Sequence, residues 1–284
     1  MRWLILAGLV VGCGSAPFEI RSQHWTFRGA ASVTPHKRHP RIAALPIIAR
    51  LKGGNTDVIL RGHMTKRQAR RAIRLAKQVY RDFNRRLADS DRGEVTKRAV
   101  DLCLFRTTEG YWRTVEGIYG HRDFAEYGFY MGSDRLVLVN WAKSTNNIRH
   151  ELAHPLIGDD FPNVPAWLNE GLASLYTSIA HKHGKVRFLD NYRLRRLKRA
   201  IRTRTVPSLH DLAHSTHENV HGRKQSLYYA TGRYLLLYLE RKGQLASFYR
   251  AMRSSDSTPD SQLELLERYV DHDKFVRWAR RRHR

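Results

Sequence analysis

The hydrophobic pattern of this chain changes its period near residues 141–144, and this change divides the fold into two parts. Before it, short segments alternate apolar and polar residues, as strands do, and they are separated by segments of helical spacing. After it, apolar residues recur at helical spacing almost throughout. We therefore predict an α+β fold with an α+β lobe over residues 42–143 and a helical lobe over residues 144–284, together forming one unit.

The predicted elements of the first lobe are strands and helices in alternation. Thr65 and Gln68 have the spacing of a capping box, which marks the start of a long amphipathic helix. Cys103 lies in an apolar strand and is predicted to be a small buried side chain. The predicted strands are 56–60, 100–104, 127–130 and 136–139, and the predicted helices are 66–88 and 108–117.

The second lobe opens with the sequence H-E-x-x-H at residues 150–154. On a helix, His150 and His154 lie one turn apart on one face, so both imidazoles can reach a single zinc ion, with Glu151 beside it. A histidine-rich chain can match this pattern by chance, so a helical core without metal is the alternative. The motif favours a metal site because it directly follows an apolar strand, as an active-site helix often does.

We predict that this helix spans residues 145–155. Ser144 or Thr145 can cap its first turn. Pro155 has no amide hydrogen and its ring clashes with the carbonyl four residues earlier, so the helix is expected to kink or end there.

A hydrolytic zinc site needs a third protein ligand and an open fourth position. Glu170, in W-L-N-E-G-L-A at 167–173, is the candidate, on a helix predicted over 166–180 with Pro165 in its first turn. Gly171 has no side chain, so two helices can approach closely enough for Glu170 to reach a shared metal.

These two segments together resemble the gluzincin metallopeptidases, in particular the bacterial peptidase-MA-like families, over roughly residues 56–245. The resemblance implies a thermolysin- or aminopeptidase-type catalytic fold, one zinc ion bound by His150, His154 and Glu170, and Glu151 as general base. Fifteen residues separate His154 from Glu170, fewer than in the aminopeptidases, and no G-x-M-E-N segment is present. The resemblance therefore implies the zinc site rather than aminopeptidase activity.

A third segment, Y-A-T-G at 229–232, is similar to the helix that carries the transition-state tyrosine of aminopeptidase-like gluzincins. By this likeness Tyr229 would donate a hydrogen bond to the oxyanion of the transition state. Tyr228 is an alternative donor, and both tyrosines could instead be core aromatics. The strand predicted at 127–130 could pair with an extended peptide substrate.

A second histidine-rich tract has two histidines at ligand spacing but no third ligand in a comparable context. We predict a solvated loop and short helix there, with an auxiliary metal site as the alternative. The tract contains His210, His214, His217 and His221.

The chain of 284 residues carries 51 basic and 26 acidic side chains, a formal net charge of +25. The basic residues cluster at 66–86, 193–204 and 277–284, interleaved with apolar residues as on solvated helix faces. The resulting positive field attracts anionic surfaces or substrates, including anionic polymers of the cell envelope. The sequence contains no nucleic-acid-binding motif, so we predict no specific nucleic-acid partner.

Residues 1–12 resemble a bacterial lipoprotein signal peptide. A basic start precedes an apolar run that is too short to span a bilayer and ends just before Cys13. The resemblance implies cleavage before Cys13, lipid on that cysteine, and a protein anchored to a membrane of the bacterial cell envelope. An ordinary signal peptide is the alternative. Residues 13–41 are predicted to be a flexible tether.

The sequence thus predicts an exported, lipid-anchored zinc metallopeptidase that hydrolyses peptide or protein substrates. The rival from another class is a non-catalytic envelope protein that binds anionic polymers, with zinc structural or absent. An ordinary globular composition excludes disordered, collagen-like and coiled-coil chains, and two cysteines exclude a disulfide framework.

Overall fold

The structure is a computed structural model that describes residues 39–88, 98–182 and 185–282. The predicted signal peptide, Cys13 and most of the predicted tether lie outside these residues. The fold is mixed α+β, as predicted. The strands are β1 (Ile47–Leu51), β2 (Thr56–Arg61), β3 (Arg98–Phe105), β4 (Gly128–Met131), β5 (Leu136–Asn140), β6 (Ile179–Lys182) and β7 (Lys185–Phe188).

The helices include every helix predicted for the first lobe, with boundaries within two residues. They are α1 (Pro40–Ala43), α2 (Lys66–Arg86), α3 (Thr108–Tyr119), α4 (Asn147–Asp160), α5 (Ala166–Tyr176), α6 (Arg193–Arg202), α7 (Leu209–Ala213), α8 (His217–His221), α9 (Gln225–Arg241), α10 (Leu245–Ser254), α11 (Pro259–Tyr269) and α12 (His272–Arg281). The capping box of Thr65 and Gln68 is confirmed at the start of α2.

The first five strands form one sheet in the order β1-β2-β3-β5-β4. Strands β2, β3 and β5 are parallel, with Leu102 of β3 between Leu60 and Val137. The two outer strands, β1 and β4, run antiparallel to their neighbours. The sheet therefore has β1 at one edge and β4 at the other.

The two faces of the sheet pack against different helices. Leu102 and Leu104 of β3 face the cluster that contains the buried sides of α2 and α4. Cys103 and Phe105, on the opposite face, belong to a smaller cluster with α3. Cys103 is fully buried, as its apolar surroundings predicted. The metal-motif helix α4 thus lies on the larger hydrophobic face of the sheet.

The larger cluster continues from the sheet into the helical lobe. It includes Leu102 of β3, Leu152 of α4 and Leu236 of α9 in one connected set of buried residues. The change of period at 141–144 therefore separates two kinds of secondary structure within one continuous core. Among the residues that the structure describes, no helix is both long enough and apolar enough to cross a membrane.

Two β elements were missed by the sequence analysis. Strand β1 buries only Leu51, so its sequence carries almost no alternating signal. The hairpin of β6 and β7 follows α5, which ends at Tyr176, so the predicted helix over 166–180 was too long. Each strand of this hairpin has four residues that mix apolar with basic side chains, so the start of the hairpin was assigned to the end of the preceding helix.

The predicted ends of α4 were also wrong. The helix begins at Asn147, and the residue before it, Asn146, makes no side-chain capping bond, so neither Ser144 nor Thr145 caps it. Pro155 lies inside the helix, which continues to Asp160.

The reason for this continuation lies in the last turn of α4. Asp159 forms an ion pair with Arg135 through both of its carboxylate oxygens. Asp160 forms an ion pair with Arg253 through a single contact of 2.7 Å. A proline inside a helix costs about 3 kcal/mol. Buried charge-assisted bonds of this kind are strong enough to hold the turn in place despite that cost.

Gly171 permits a close helix contact, but with a different partner from the one predicted. A Cβ atom on Gly171 would lie 3.0 Å from the main chain of Gly232 in α9. The two glycines thus bring α5 against α9, which carries Tyr229. The close contact that Gly171 permits is therefore between α5 and α9, and not between α5 and α4.

Candidate metal centre

Two helices bring the three predicted ligands together. His150 and His154 lie on α4, and Glu170 lies on α5, which packs against it. One potential ligand atom from each residue lies within 4.8 Å of the others, and all three side chains are buried. These three residues, all within the described part of the chain, could together hold a metal ion.

The distance between His150 and Glu170 is compatible with a shared metal ion. Nε2 of His150 lies 3.5 Å from Oε2 of Glu170. Two ligands of tetrahedral zinc are about 3.3 Å apart when each bond is about 2.0 Å. Oε2 of Glu170 is buried without a hydrogen-bond partner. A buried carboxylate oxygen that lacks a partner is costly, and a metal ion would satisfy it.

The orientation of His154 is set by a second residue on α5. Its Nδ1 lies 3.0 Å from Oδ1 of Asn169, and an amide oxygen can only accept, so the proton is assigned to Nδ1. This arrangement leaves Nε2 of His154 with its lone pair, the form that binds a metal. Burial lowers the pKa of His154 to about 4, and the charge of His150 adds to this shift, so the imidazole is neutral.

Charges of opposite sign meet at His150 and Glu170. Burial alone would lower the pKa of His150, but Glu170 and Glu151 raise it above its usual value. Burial alone would raise the pKa of Glu170, but His154 and His150 hold it well below its usual range. Glu170 is therefore a carboxylate, the form that binds a metal.

Glu151 lies beside the three ligands and is held by its own helix. Asn147, one turn earlier on α4, donates a hydrogen bond of 2.9 Å to Oε1 of Glu151. Oε2 of Glu151 lies 4.0 Å from Nε2 of His154. Burial raises the pKa of Glu151 to about 7, and the neighbouring Glu170 adds to the rise. One oxygen of Glu151 is thus fixed by Asn147, and the other faces the ligand group.

The histidine-rich tract differs from its prediction at one residue. His210 is exposed and its ring stacks on that of His214, as expected of a solvated short helix. His221 instead has a buried side chain, and its Nδ1 lies 4.0 Å from Oε1 of Glu170. Burial lowers the pKa of His221 to about 4, so its ring is neutral. The tract therefore contributes His221 to the metal centre.

Tyr229 reaches the same region through His221. Its hydroxyl lies 3.1 Å from Nδ1 of His221, and its ring is buried against the edge of the His221 ring. Tyr228, the alternative, is also buried. The contact with His221 links Tyr229 to Glu170.

Glu170, one of the three ligands, lines a cavity of about 300 Å³. Asn169, His221, Ala166 and His217 also line this cavity. Strand β4 packs beside α4 and, among the described residues, pairs with β5 alone, so an edge of the sheet lies close to the helix that carries both histidines.

Asn147, Asn169 and His221 are the residues of this centre that the sequence analysis did not identify. Asn147 is one helical turn before Glu151, so its position on the same face could be read from the spacing. Asn169 directly precedes Glu170, and nothing in the spacing shows that its amide turns back to His154. His221 becomes part of the centre only through the packing of α8 on α5 and α9.

Comparison with known proteins adds no family name to this geometry. Neither the scan against protein-family models nor the search of curated proteins found a match for the chain.

Proposed function

We propose that this protein is a zinc-dependent metallopeptidase. The observation that carries the proposal is the buried group of His150, His154 and Glu170, with Glu151 beside it. Two imidazoles and one carboxylate are a typical protein ligand set of catalytic zinc sites, which keep a fourth position open. A purely structural site has no need for a buried carboxylate next to its ligands.

The residues of the chain divide the chemistry of peptide hydrolysis among them. A zinc ion held by the three ligands would lower the pKa of a coordinated water and polarise the scissile carbonyl. Glu151 accepts the proton of the attacking water and returns it to the nitrogen of the leaving amine. Asn147 keeps one oxygen of Glu151 in place through this cycle. Asn169 holds the His154 ring in its ligand orientation.

We assign the stabilisation of the oxyanion to Tyr229. Its hydroxyl lies 3.1 Å from His221, which itself lies beside Glu170. Removal of one such donor typically lowers kcat by about 100- to 1000-fold. Tyr229→Phe is therefore expected to lower kcat within this range and to leave bound zinc unchanged, whereas Tyr228→Phe is expected to leave both unchanged.

The proposed substrate is an extended peptide or unfolded protein segment. The free edge of β4 can add such a segment as a further strand, because main-chain hydrogen bonds there need no particular side chains. The packing of β4 beside α4 would bring the added strand past Glu151. The proposal also includes export and lipid attachment at Cys13 in the bacterial cell envelope, which rests on the sequence of residues 1–13.

The test compares zinc-loaded wild type with Glu151→Gln on a peptide library, with cut sites read by mass spectrometry. Loss of the general base is expected to lower the rate by about 100- to 10,000-fold with one zinc retained per chain. Glu267→Gln, on an exposed face of α11, is the matched control and should cleave like wild type. Equal cleavage by Glu151→Gln would disprove the mechanism.

Absence of cleavage by the wild type, with zinc bound, would favour the rival function as a polymer-binding envelope protein. The lipid is tested separately by the intact mass of the protein isolated from a bacterial membrane. The acyl mass is expected in wild type and absent in Cys13→Ser.

A further inference from the structure

Most buried arginines of this fold have an evident partner. Arg61 lies 2.5 Å from Asp101, and Arg253 lies 2.7 Å from Asp160. Arg233 is fully buried and donates to two main-chain carbonyl groups. In each case at least one guanidinium nitrogen has an acceptor within the protein, although Nε of Arg233 is itself buried without one.

Arg193, at the start of α6, does not follow this rule. It is 6% exposed, and its Nε is buried without a hydrogen-bond partner. Its guanidinium carbon lies 5.2 Å from the ring centre of Tyr192 and 4.9 Å from that of Tyr229. Within the described parts of the chain, the guanidinium forms no ion pair or hydrogen bond. The guanidinium therefore packs on two aromatic rings, a favourable contact for a cation, but has no anionic partner among the described residues.

The position of Arg193 connects this charge to the metal centre. Tyr229, whose ring it covers, lies 3.1 Å from His221, and His221 lies 4.0 Å from Glu170. Tyr229 and His221 therefore form a chain of contacts from Arg193 to the ligand Glu170.

On the basis of the peptidase function proposed above, we propose that Arg193 binds a carboxylate of the substrate close to the scissile bond. A guanidinium offers two parallel donors that match the two oxygens of a carboxylate, and stacking on aromatic rings holds its plane in place. The carboxylate comes either from the C-terminus of the peptide or from an acidic side chain beside the cleaved bond. Arg193 would thus determine which peptides are cut.

The test measures binding without turnover, so that it does not depend on hydrolysis. The full chain carries Glu151→Gln and is loaded with zinc. The probes are three pools of pentapeptides labelled with an uncharged dye and read by fluorescence anisotropy. The first pool has neutral residues and a free C-terminus, the second has a C-terminal amide, and the third has the amide and one Glu.

At least one carboxylate-bearing pool is expected to bind about 10-fold or more tightly than the neutral amide pool, the range of one charge-assisted bond. The pool that gains identifies the source of the carboxylate. Arg193→Met should abolish the preference. Arg193→Lys should reduce the preference several-fold, because lysine keeps the charge but lacks the two parallel donors of a guanidinium. Arg199→Met, an exposed arginine on the same helix, makes the same charge change and should preserve it.

Equal binding of all three pools by the Glu151→Gln protein would overturn the inference, as would a preference unchanged in both Arg193 variants. If Arg193→Met fails to fold, Arg193→Lys decides the question. The peptide-library digest with intact Glu151 separates the two proposals. An Arg193-dependent preference without cleavage by wild type supports the carboxylate site and contradicts the peptidase. Cleavage by wild type without any binding preference supports the peptidase and contradicts the carboxylate site.

Discussion

Two clusters of buried acidic groups lie along α4, and their hydrogen bonding differs. At its C-terminal end, Asp159 is paired with Arg135, and Asp160 accepts hydrogen bonds from Arg253 and Tyr249. At the metal end, Oε2 of Glu170 remains without a hydrogen-bond partner. In a cluster that only stabilises the fold, the buried acceptors are hydrogen-bonded by protein groups. In a cluster that binds a ligand, at least one buried acceptor has no hydrogen-bond partner within the protein. We call the first the closed cluster and the second the open cluster.

The largest expected effect on stability is at the closed cluster. Asp160→Asn removes the charge that pairs with Arg253, and breaking a buried ion pair by removing one partner costs about 3–5 kcal/mol. We expect this loss in the free energy of unfolding in urea, with one zinc still bound per folded chain. A loss of zinc at full folding would show that the two clusters are not separate.

Zinc itself should stabilise the open cluster. A ligand at 100 times its Kd adds about 2.7 kcal/mol to the free energy of unfolding when it binds only the folded state. Chelation should remove this gain in wild type, and Glu170→Gln should not show it at the same zinc concentration. If Glu170→Gln is stabilised equally, zinc binds elsewhere, with the exposed pair of His210 and His214 as the first place to examine.

The sequence predicted the open cluster better than the boundaries of the helix that carries it. That His150 and His154 share a face follows from helical spacing, because i and i+4 lie on one side of any helix. Glu170, on a second helix, was predicted from the W-L-N-E-G-L-A segment. The end of α4 does not follow, because the ion pairs of Asp159 and Asp160 reach residues far away in the chain. Local rules for proline cannot include such partners.

The same reasoning explains the strands and the second tract of histidines. Five-residue and longer strands with a buried face, such as β3 and β5, were predicted from their apolar residues. The exposed β1 and the four-residue β6 and β7 have too little pattern to be recognised. His221 was misjudged because the polar residues around it, such as the exposed His217 and Glu218, indicate a solvated segment, although its own ring packs beside Glu170.

Within the open cluster, loss of an orienting residue should cost less than loss of a ligand. Asn169→Ala removes the acceptor that fixes the His154 ring, and such partners are typically worth 10- to 100-fold in metal affinity. This corresponds to about 1.4–2.7 kcal/mol. Competition with a chelating dye measures the zinc affinity directly. Unchanged affinity would show that packing alone orients His154.

The smallest effect is expected from the matched asparagine of the closed cluster. Asn55 donates a long bond of 3.4 Å to Oδ1 of Asp160, whose other oxygen is already bound by Arg253 and Tyr249. Asn55→Ala should therefore lower the free energy of unfolding by about 1 kcal/mol or less and leave zinc affinity unchanged. Asn55→Ala and Asn169→Ala make the same chemical change, the first at the closed cluster and the second at the open cluster. The distinction between the clusters requires that one asparagine affects zinc and the other affects only stability. An Asn55→Ala protein with weakened zinc binding would mean that the two ends of α4 act as one site, joined through the helix.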